Sequence, residues 1–356
     1  MKTFHCDQCG QQVFYENVRC ENCGGMLGYL PDQRAIATFE PDGEGLWRSL
    51  IPKNVGLHYK QCINYAQENA CNWMLPADAE DDLCVSCQLT RTIPDLSNEK
   101  NLLYWKRLEA AKRRLLFSLW ELNLQPTPKL VDDDTGMAFE FLEDTPDKKV
   151  MTGHDNGLIV INIAEADPSR REKARENMNE PYRTLLGHFR HESGHYYFDR
   201  LIVDTQWLAP FRELFGDEQQ DYSEALEKHY QNGPPADWEQ RYVSSYASSH
   251  PWEDWAETWA HYLHMIDTLQ TAYSCGMTLE PRKPREPTLA IERQPLKTGS
   301  FSELADNWFA LTYVLNSLNR SIGMPDAYPF ALSTEVMQKL QFIHEVALAQ
   351  KTAPRT

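Results

Sequence analysis

No apolar run in the 356 residues approaches the roughly twenty needed to cross a bilayer. The N-terminus, MKTFHCDQCG, reaches polar residues and cysteines almost at once, so no secretory leader is expected. Basic charge is also scarce: 35 Lys and Arg against 52 Asp and Glu leave a net charge of -17. That balance argues against a broad nucleic-acid groove and against tight binding to an anionic membrane, though a small basic patch remains open. Apart from recurring cysteine pairs there is no internal repeat. The expectation is a cytoplasmic chain with no membrane partner, long enough for two or three domains.

Cysteine is what the chain does have. Six of its nine cysteines form CxxC pairs, at Cys6/Cys9, Cys20/Cys23 and Cys84/Cys87; Cys62 and Cys71 precede the last pair and Cys275 stands alone. In a reducing compartment this grouping reads as two four-thiolate metal sites plus one spare thiol, not as disulfides. CDQCGQQVFYENVRCENCGG gives two knuckles, with Gly10 and Gly24 suited to the tight turn after each pair. Four thiolates make a closed structural zinc site, in a segment too small to hold a core unaided. Iron in a rubredoxin-like centre is the rival ion. Cys62, Cys71, Cys84 and Cys87 form a second set of irregular spacing, with Trp73 and Leu75 placed to pack beside it. Cys275 reads as a small buried hydrophobe.

Periodicity predicts a long amphipathic helix from Asn98 to Leu122, with Lys112 to Arg114 on a solvated face. MAFEFLED and LIVINI read as strands, and LIVINI could be an edge strand able to pair with an extended peptide, or plain core. A helix opens near Pro168, and Pro181 separates it from a second that carries HFRHESGHYYFDRL. A third starts at Pro251, and two more follow from about Ser300.

On a helix, His191 and His195 lie one turn apart on one face and can reach one zinc ion; Glu192 beside them can take a proton from metal-bound water. Ser193 and Gly194 are short enough for another element to approach. A catalytic zinc takes three protein ligands and a water. HPWEDWAETWAHYLHM offers Glu253 and Glu257, one turn apart among tryptophans. Buried carboxylates need neutralising, and one can be a ligand while the other accepts from a histidine N–H. Spacing does not choose between them.

HFRHESGHYYFDRL followed by YASSHPWEDWAETWAHYLHM resembles the family of putative zinc-binding metallopeptidases that carry an N-terminal zinc ribbon, and CNW with LCVSCQLTRTIPDLS resembles that family's second cysteine segment. The likeness spans about residues 1–290. It implies an α+β fold: a mostly helical, zincin-like peptidase domain with a small mixed sheet, preceded by zinc-ribbon or rubredoxin-like modules. The expected domains are a ribbon over 1–35, a second four-cysteine region over 36–97, the peptidase domain over 98–290 and a C-terminal helical region over 291–356. The family's gluzincin grouping, and a more distant likeness to lethal-factor-like peptidases, imply Glu253 as the third ligand beside His191 and His195. They also imply Tyr246, seven residues earlier, as the hydroxyl facing the substrate. Glu257 would orient a ligand histidine or brace its helix, Tyr242 is a second choice for the tyrosine, and His188 is a substrate-side or packing residue.

The implied function is zinc-dependent hydrolysis of a peptide or protein substrate, with one catalytic and two structural zinc ions. Glu192 activates water and Tyr246 stabilises the oxyanion. The rival readings are a zinc-stabilised interaction module with an inactive peptidase-like site, and an amidase acting on something other than protein. Nucleic-acid binding by the ribbons ranks low, because Asp7, Glu16, Glu21 and Asp32 sit there beside few bases. The residues name neither the particular substrate nor the oligomeric state.

Overall fold

The computed structural model describes residues 2–178, 180–291, 294–297 and 300–352. These form two compact units: Lys2–Phe117 with Pro126–Pro168, and Ser118–Gln125 with the described residues from Ser169 onward.

In the first unit each CxxC pair sits in a turn closed by glycine. Gly10 N donates to Cys6 O and Gly24 N to Cys20 O, both at 2.9 Å, and both glycines have positive φ. Strands β1 (Phe4–His5) and β2 (Gln12–Val13) flank the first turn. An antiparallel sheet of β3 (Met26–Leu30), β4 (Ala35–Pro41), β5 (Trp47–Ser49), β6 (His58–Gln61) and β7 (Met74–Pro76) follows in sequential order. Tyr15, Tyr29 and Trp73 pack together, with ring centroids 4.9 and 5.1 Å apart. Short helices α1 (Ile63–Ala66) and α2 (Val85–Gln88) begin directly after Cys62 and Cys84.

The second sheet of this unit contains β8 (Thr90–Thr92), β9 (Ala138–Leu142), β10 (Gly153–Asp155) and β11 (Leu158–Asn162), in the order β10-β11-β9-β8. Asn156 and Gly157, both at positive φ, join β10 to β11 in the two-residue turn that matches strand twist. LIVINI is therefore an interior strand, antiparallel to β10 and parallel to β9. Leu158, Ile159 and Val160 are paired on both sides and Asn162 N donates to Thr152 Oγ1 at 3.2 Å, so the edge-strand reading and the peptide-pairing role considered for it do not hold. Helix α3 (Glu99–Glu121) contributes its residues up to Phe117 to this unit.

The expected solvated face at Lys112 to Arg114 is another correction. Lys112 is wholly buried and Arg113 nearly so. Lys112 Nζ lies 2.9 Å from Glu109 Oε2, and Arg113 donates to Ala70 O at 2.7 Å. Buried cations persist only with such partners.

The second unit is helical: α4 (Pro168–Asn177), α5 (Leu185–Leu201), α6 (Leu208–Phe215), α7 (Tyr222–Asn232), α8 (Trp238–Arg241), α9 (Pro251–Ser274), α10 (Phe301–Ser321) and α11 (Thr334–Thr352). The Thr184 hydroxyl caps α5 by accepting from Gly187 N at 3.0 Å. His250 caps α9: its Nδ1 accepts from Trp252 N at 3.1 Å, and Pro251 takes the first-turn position where a missing N–H is harmless.

The core lies where α5 crosses α9. A Cβ on Gly194 would come within 2.8 Å of Ala256 Cα, so only glycine admits this approach. Two indoles lock the crossing: Trp255 Nε1 donates to Gly194 O at 2.8 Å, and Trp259 Nε1 to Ser193 Oγ at 3.2 Å. Phe211 and Phe215 of α6 pack against Trp255. From α11, Val336, Leu340 and Ile343 are buried. Cys275, expected inside, is exposed just beyond α9. The fold is α+β and mostly helical, with small sheets preceding a helical core, as the sequence led us to expect. Among the described residues no helix is long and apolar enough to cross a membrane.

Candidate metal centres and active site

Three groups of side chains converge as metal ligands would: Cys6, Cys9, Cys20 and Cys23; Cys62, Cys71, Cys84 and Cys87; and His191, His195 and Glu253. In the first set, Cys6 Sγ and Cys23 Sγ are 3.6 Å apart, as are Cys9 Sγ and Cys20 Sγ. In the second, Cys71 Sγ and Cys84 Sγ are 3.7 Å apart. A tetrahedron with metal–sulfur bonds of about 2.3 Å has edges of about 3.8 Å, so these sulfurs are spaced for one ion and not for disulfides.

Backbone N–H groups aim at the sulfurs: Trp73 N donates to Cys71 Sγ and Cys84 N to Cys62 Sγ, both at 3.4 Å. All four thiols of the second set are buried. Burial pushes the Cys84 thiol well up, with its cysteine neighbours adding to the effect. Burial opposes the charge on Arg113, but Cys71, Glu109 and Cys87 outweigh it and hold its pKa up. The unit thus places a buried cation beside the second cysteine cluster. The first set is more open, with Cys9 exposed and Cys23 part-exposed.

The third group arises from the α5–α9 crossing. Helical spacing turns His191 and His195 to one side, with their Nε2 atoms 3.2 Å apart. Glu253, in the first turn of α9, places Oε2 at 3.0 Å from His191 Nε2 and 3.4 Å from His195 Nε2. That oxygen is buried and, among the described residues, has no hydrogen-bond partner. Three atoms with lone pairs thus face one another across a triangle whose edges match those around a tetrahedral ion with bonds of about 2.0 to 2.1 Å, roughly 3.3 to 3.4 Å. The donor set and its spacing fit zinc.

Outside the triangle each ligand is held. His191 Nδ1 meets Glu257 Oε1 at 2.8 Å, and the Ser244 hydroxyl donates to Glu257 Oε2 at 2.6 Å. Glu253 Oε1 accepts from the Tyr222 hydroxyl at 2.6 Å. The Trp252 ring covers His195, centroid to centroid 3.9 Å.

The electrostatics favour a positive charge here. Burial opposes charge on His191, but Glu253 and Glu257 outweigh it and raise its pKa well above normal. Burial likewise works against ionised Glu253 and Glu257. The two histidines hold Glu253 well down, and His191 takes Glu257 to about 2. Glu192 behaves otherwise: burial raises its pKa, only partly offset by His191 and His195. A carboxylate raised in this way accepts a proton readily. Burial also raises Tyr246 far above its usual range, so its hydroxyl stays protonated. The Tyr246 ring lies 6.1 Å from that of His191.

His188 is one turn before His191 on α5 and is not among the clustered donors. The Tyr242 ring lies under Lys339 Nζ at 4.5 Å. Asp254 pairs with Lys339 at 2.6 Å. Reading by sequence missed Tyr222, Ser244 and Trp252. Asp221 followed by Glu224 marks a helix start, since Asp221 Oδ1 accepts from Glu224 N at 2.8 Å. That signal could have found α7, but not the contact its tyrosine makes.

Comparison with known proteins adds two family matches. A model described as putative zinc-binding metallo-peptidase matches residues 101–346, and a zinc-ribbon domain model matches residues 3–98. The chain is similar to an uncharacterized protein of Mycobacterium bovis and to uncharacterized proteins of two strains of Mycobacterium tuberculosis. Each is 44% identical over 347 residues, covering 97% of this chain and 95% of the relative. No solved structure matches.

Proposed function

The chain belongs to the putative zinc-binding metallo-peptidase family, and from that premise we propose that it is a gluzincin-type hydrolase that cleaves peptide bonds in a protein or peptide substrate in the cytoplasm. The observation that supports this best is the triangle of His191 Nε2, His195 Nε2 and Glu253 Oε2, with edges of 3.0 to 3.4 Å. These three residues would hold one zinc, and the two four-cysteine sets one structural zinc each. Bound with three protein ligands, a zinc ion supplies Lewis acidity, which acidifies a water and polarises a carbonyl oxygen.

The chain's own residues do the rest. Glu192, raised by burial, takes the proton of the attacking water and delivers it to the leaving amine. Tyr246, held protonated, donates to the oxyanion. Glu257 accepts from His191 Nδ1 and so fixes the tautomer that leaves Nε2 free for the ion.

The test pairs metal analysis with Glu192→Gln. Wild type and variant should each hold about three zinc ions per chain, one of them more easily chelated. Hydrolysis of a peptide library should fall by about 10²- to 10⁴-fold in the variant. Folded protein with anomalous zinc signal only at the sulfur clusters would sink the proposal. Three ions with no cleavage of any library peptide would favour the interaction-module reading instead.

A further inference from the structure

Glu253 has two oxygens, and the fold treats them differently. Oε2 faces the imidazoles. Oε1 is taken by Tyr222, whose hydroxyl reaches it at 2.6 Å from an element 31 residues away in the chain. Tyr222 opens α7, a helix with no fully buried residue. Its ring is nonetheless gripped edge-on by His250 at 5.4 Å and Trp252 at 5.5 Å between centroids. Trp252 in turn covers His195.

A carboxylate beside a divalent ion can bind through one oxygen or through both. A catalytic zinc of this type needs three protein donors and one position left for water or substrate. We propose that Tyr222 is a positioning residue that reserves Glu253 Oε1, so that Glu253 offers the ion only Oε2 and the fourth position stays open. This rests on the peptidase reading above. Without the hydroxyl, Oε1 swings onto the ion, adds a donor and closes the position.

The test uses full-length protein whose chelator-labile ion has been exchanged for cobalt, with zinc kept at the cysteine sites. The visible cobalt spectrum reports the donor set and its geometry, and acetohydroxamic acid probes the open position. In Tyr222→Phe the cobalt bands should shift as a carboxylate oxygen takes the place of the water, and acetohydroxamate affinity should fall by roughly tenfold or more. Leu226→Ala loosens α7 at a half-buried position but keeps the hydroxyl, and should leave both readouts as in wild type. The proposal is overturned if Tyr222→Phe keeps the wild-type spectrum and affinity, or if Leu226→Ala reproduces the change. Wild-type protein that takes up no ion beyond the cysteine sites overturns the peptidase reading as well, so the two failures are told apart.

Discussion

Tyr222 and Tyr246 both bring a protonated hydroxyl to the same carboxylate-rich corner, and the proposed roles make them separable. Tyr222 bonds to Glu253 itself, so its removal should register at the ion. The Tyr246 ring lies 6.1 Å from that of His191, and burial is the first cause of its raised pKa. If it donates to charge that develops only in the transition state, Tyr246→Phe leaves ground-state binding alone. We therefore expect kcat to fall by about 10²- to 10³-fold with KM nearly unchanged. Metal content and the cobalt spectrum should match wild type. A rise in KM with kcat preserved, measured by steady-state kinetics on a cleaved peptide, would place this tyrosine in substrate binding.

At the scale of elements, the triangle depends on how closely two helices approach. Gly194 sits between His191 and His195 on α5, and the Ala256 backbone of α9 lies where a methyl group would go. Backbone cannot swing aside as a flexible side chain can, so Gly194→Ala must push α9 outward. Overpacking of this kind costs about 1 to 3 kcal/mol. It also moves Glu253 away from the imidazoles, because Glu253 and Ala256 share α9. Urea unfolding should show the lost stability, and competition with a chelator should show weaker retention of the labile ion. Lost stability with unchanged retention would mean that the helices are not what sets the ligand spacing.

What could be read beforehand follows the range of each signal. The pairing of His191 with His195, the start of α9 at Pro251 and the length of α3 are local, written in spacings of three and four. The choice between Glu253 and Glu257 as the oxygen facing the imidazoles needed the rotation of α9 against α5, which local spacing does not carry. The burial of Lys112 was hidden because only its partner Glu109 is local, three residues back on α3, whereas Thr90 meets it once β8 has packed on that helix. Likewise LIVINI showed its strand character but not its neighbours, since pairing with β9 and β10 is a matter of topology.

For the whole molecule, access to the three proposed ions should rank their lability. The proposed site of His191, His195 and Glu253 would give its ion three protein donors and a position for exchange, so a chelator such as 1,10-phenanthroline should remove that ion while the helices persist. The cysteine sites differ from each other: Cys9 is exposed and Cys23 part-exposed, whereas Cys62, Cys71, Cys84 and Cys87 are each 2% exposed or less. A thiol-reactive reagent attacks the sulfur it can touch. Treatment with an organomercurial, followed with a zinc-binding dye, should therefore release zinc in two phases of one equivalent each. The fast phase belongs to Cys6, Cys9, Cys20 and Cys23. The slow phase waits on opening of the five-stranded sheet that carries the second set. Because buried thiolates deprived of their ion face the desolvation that raises Cys84, circular dichroism and tryptophan fluorescence should change with the slow phase. Release of both equivalents in one step, at a rate independent of reagent concentration, would show instead that the unit opens as a whole before either cluster is reached.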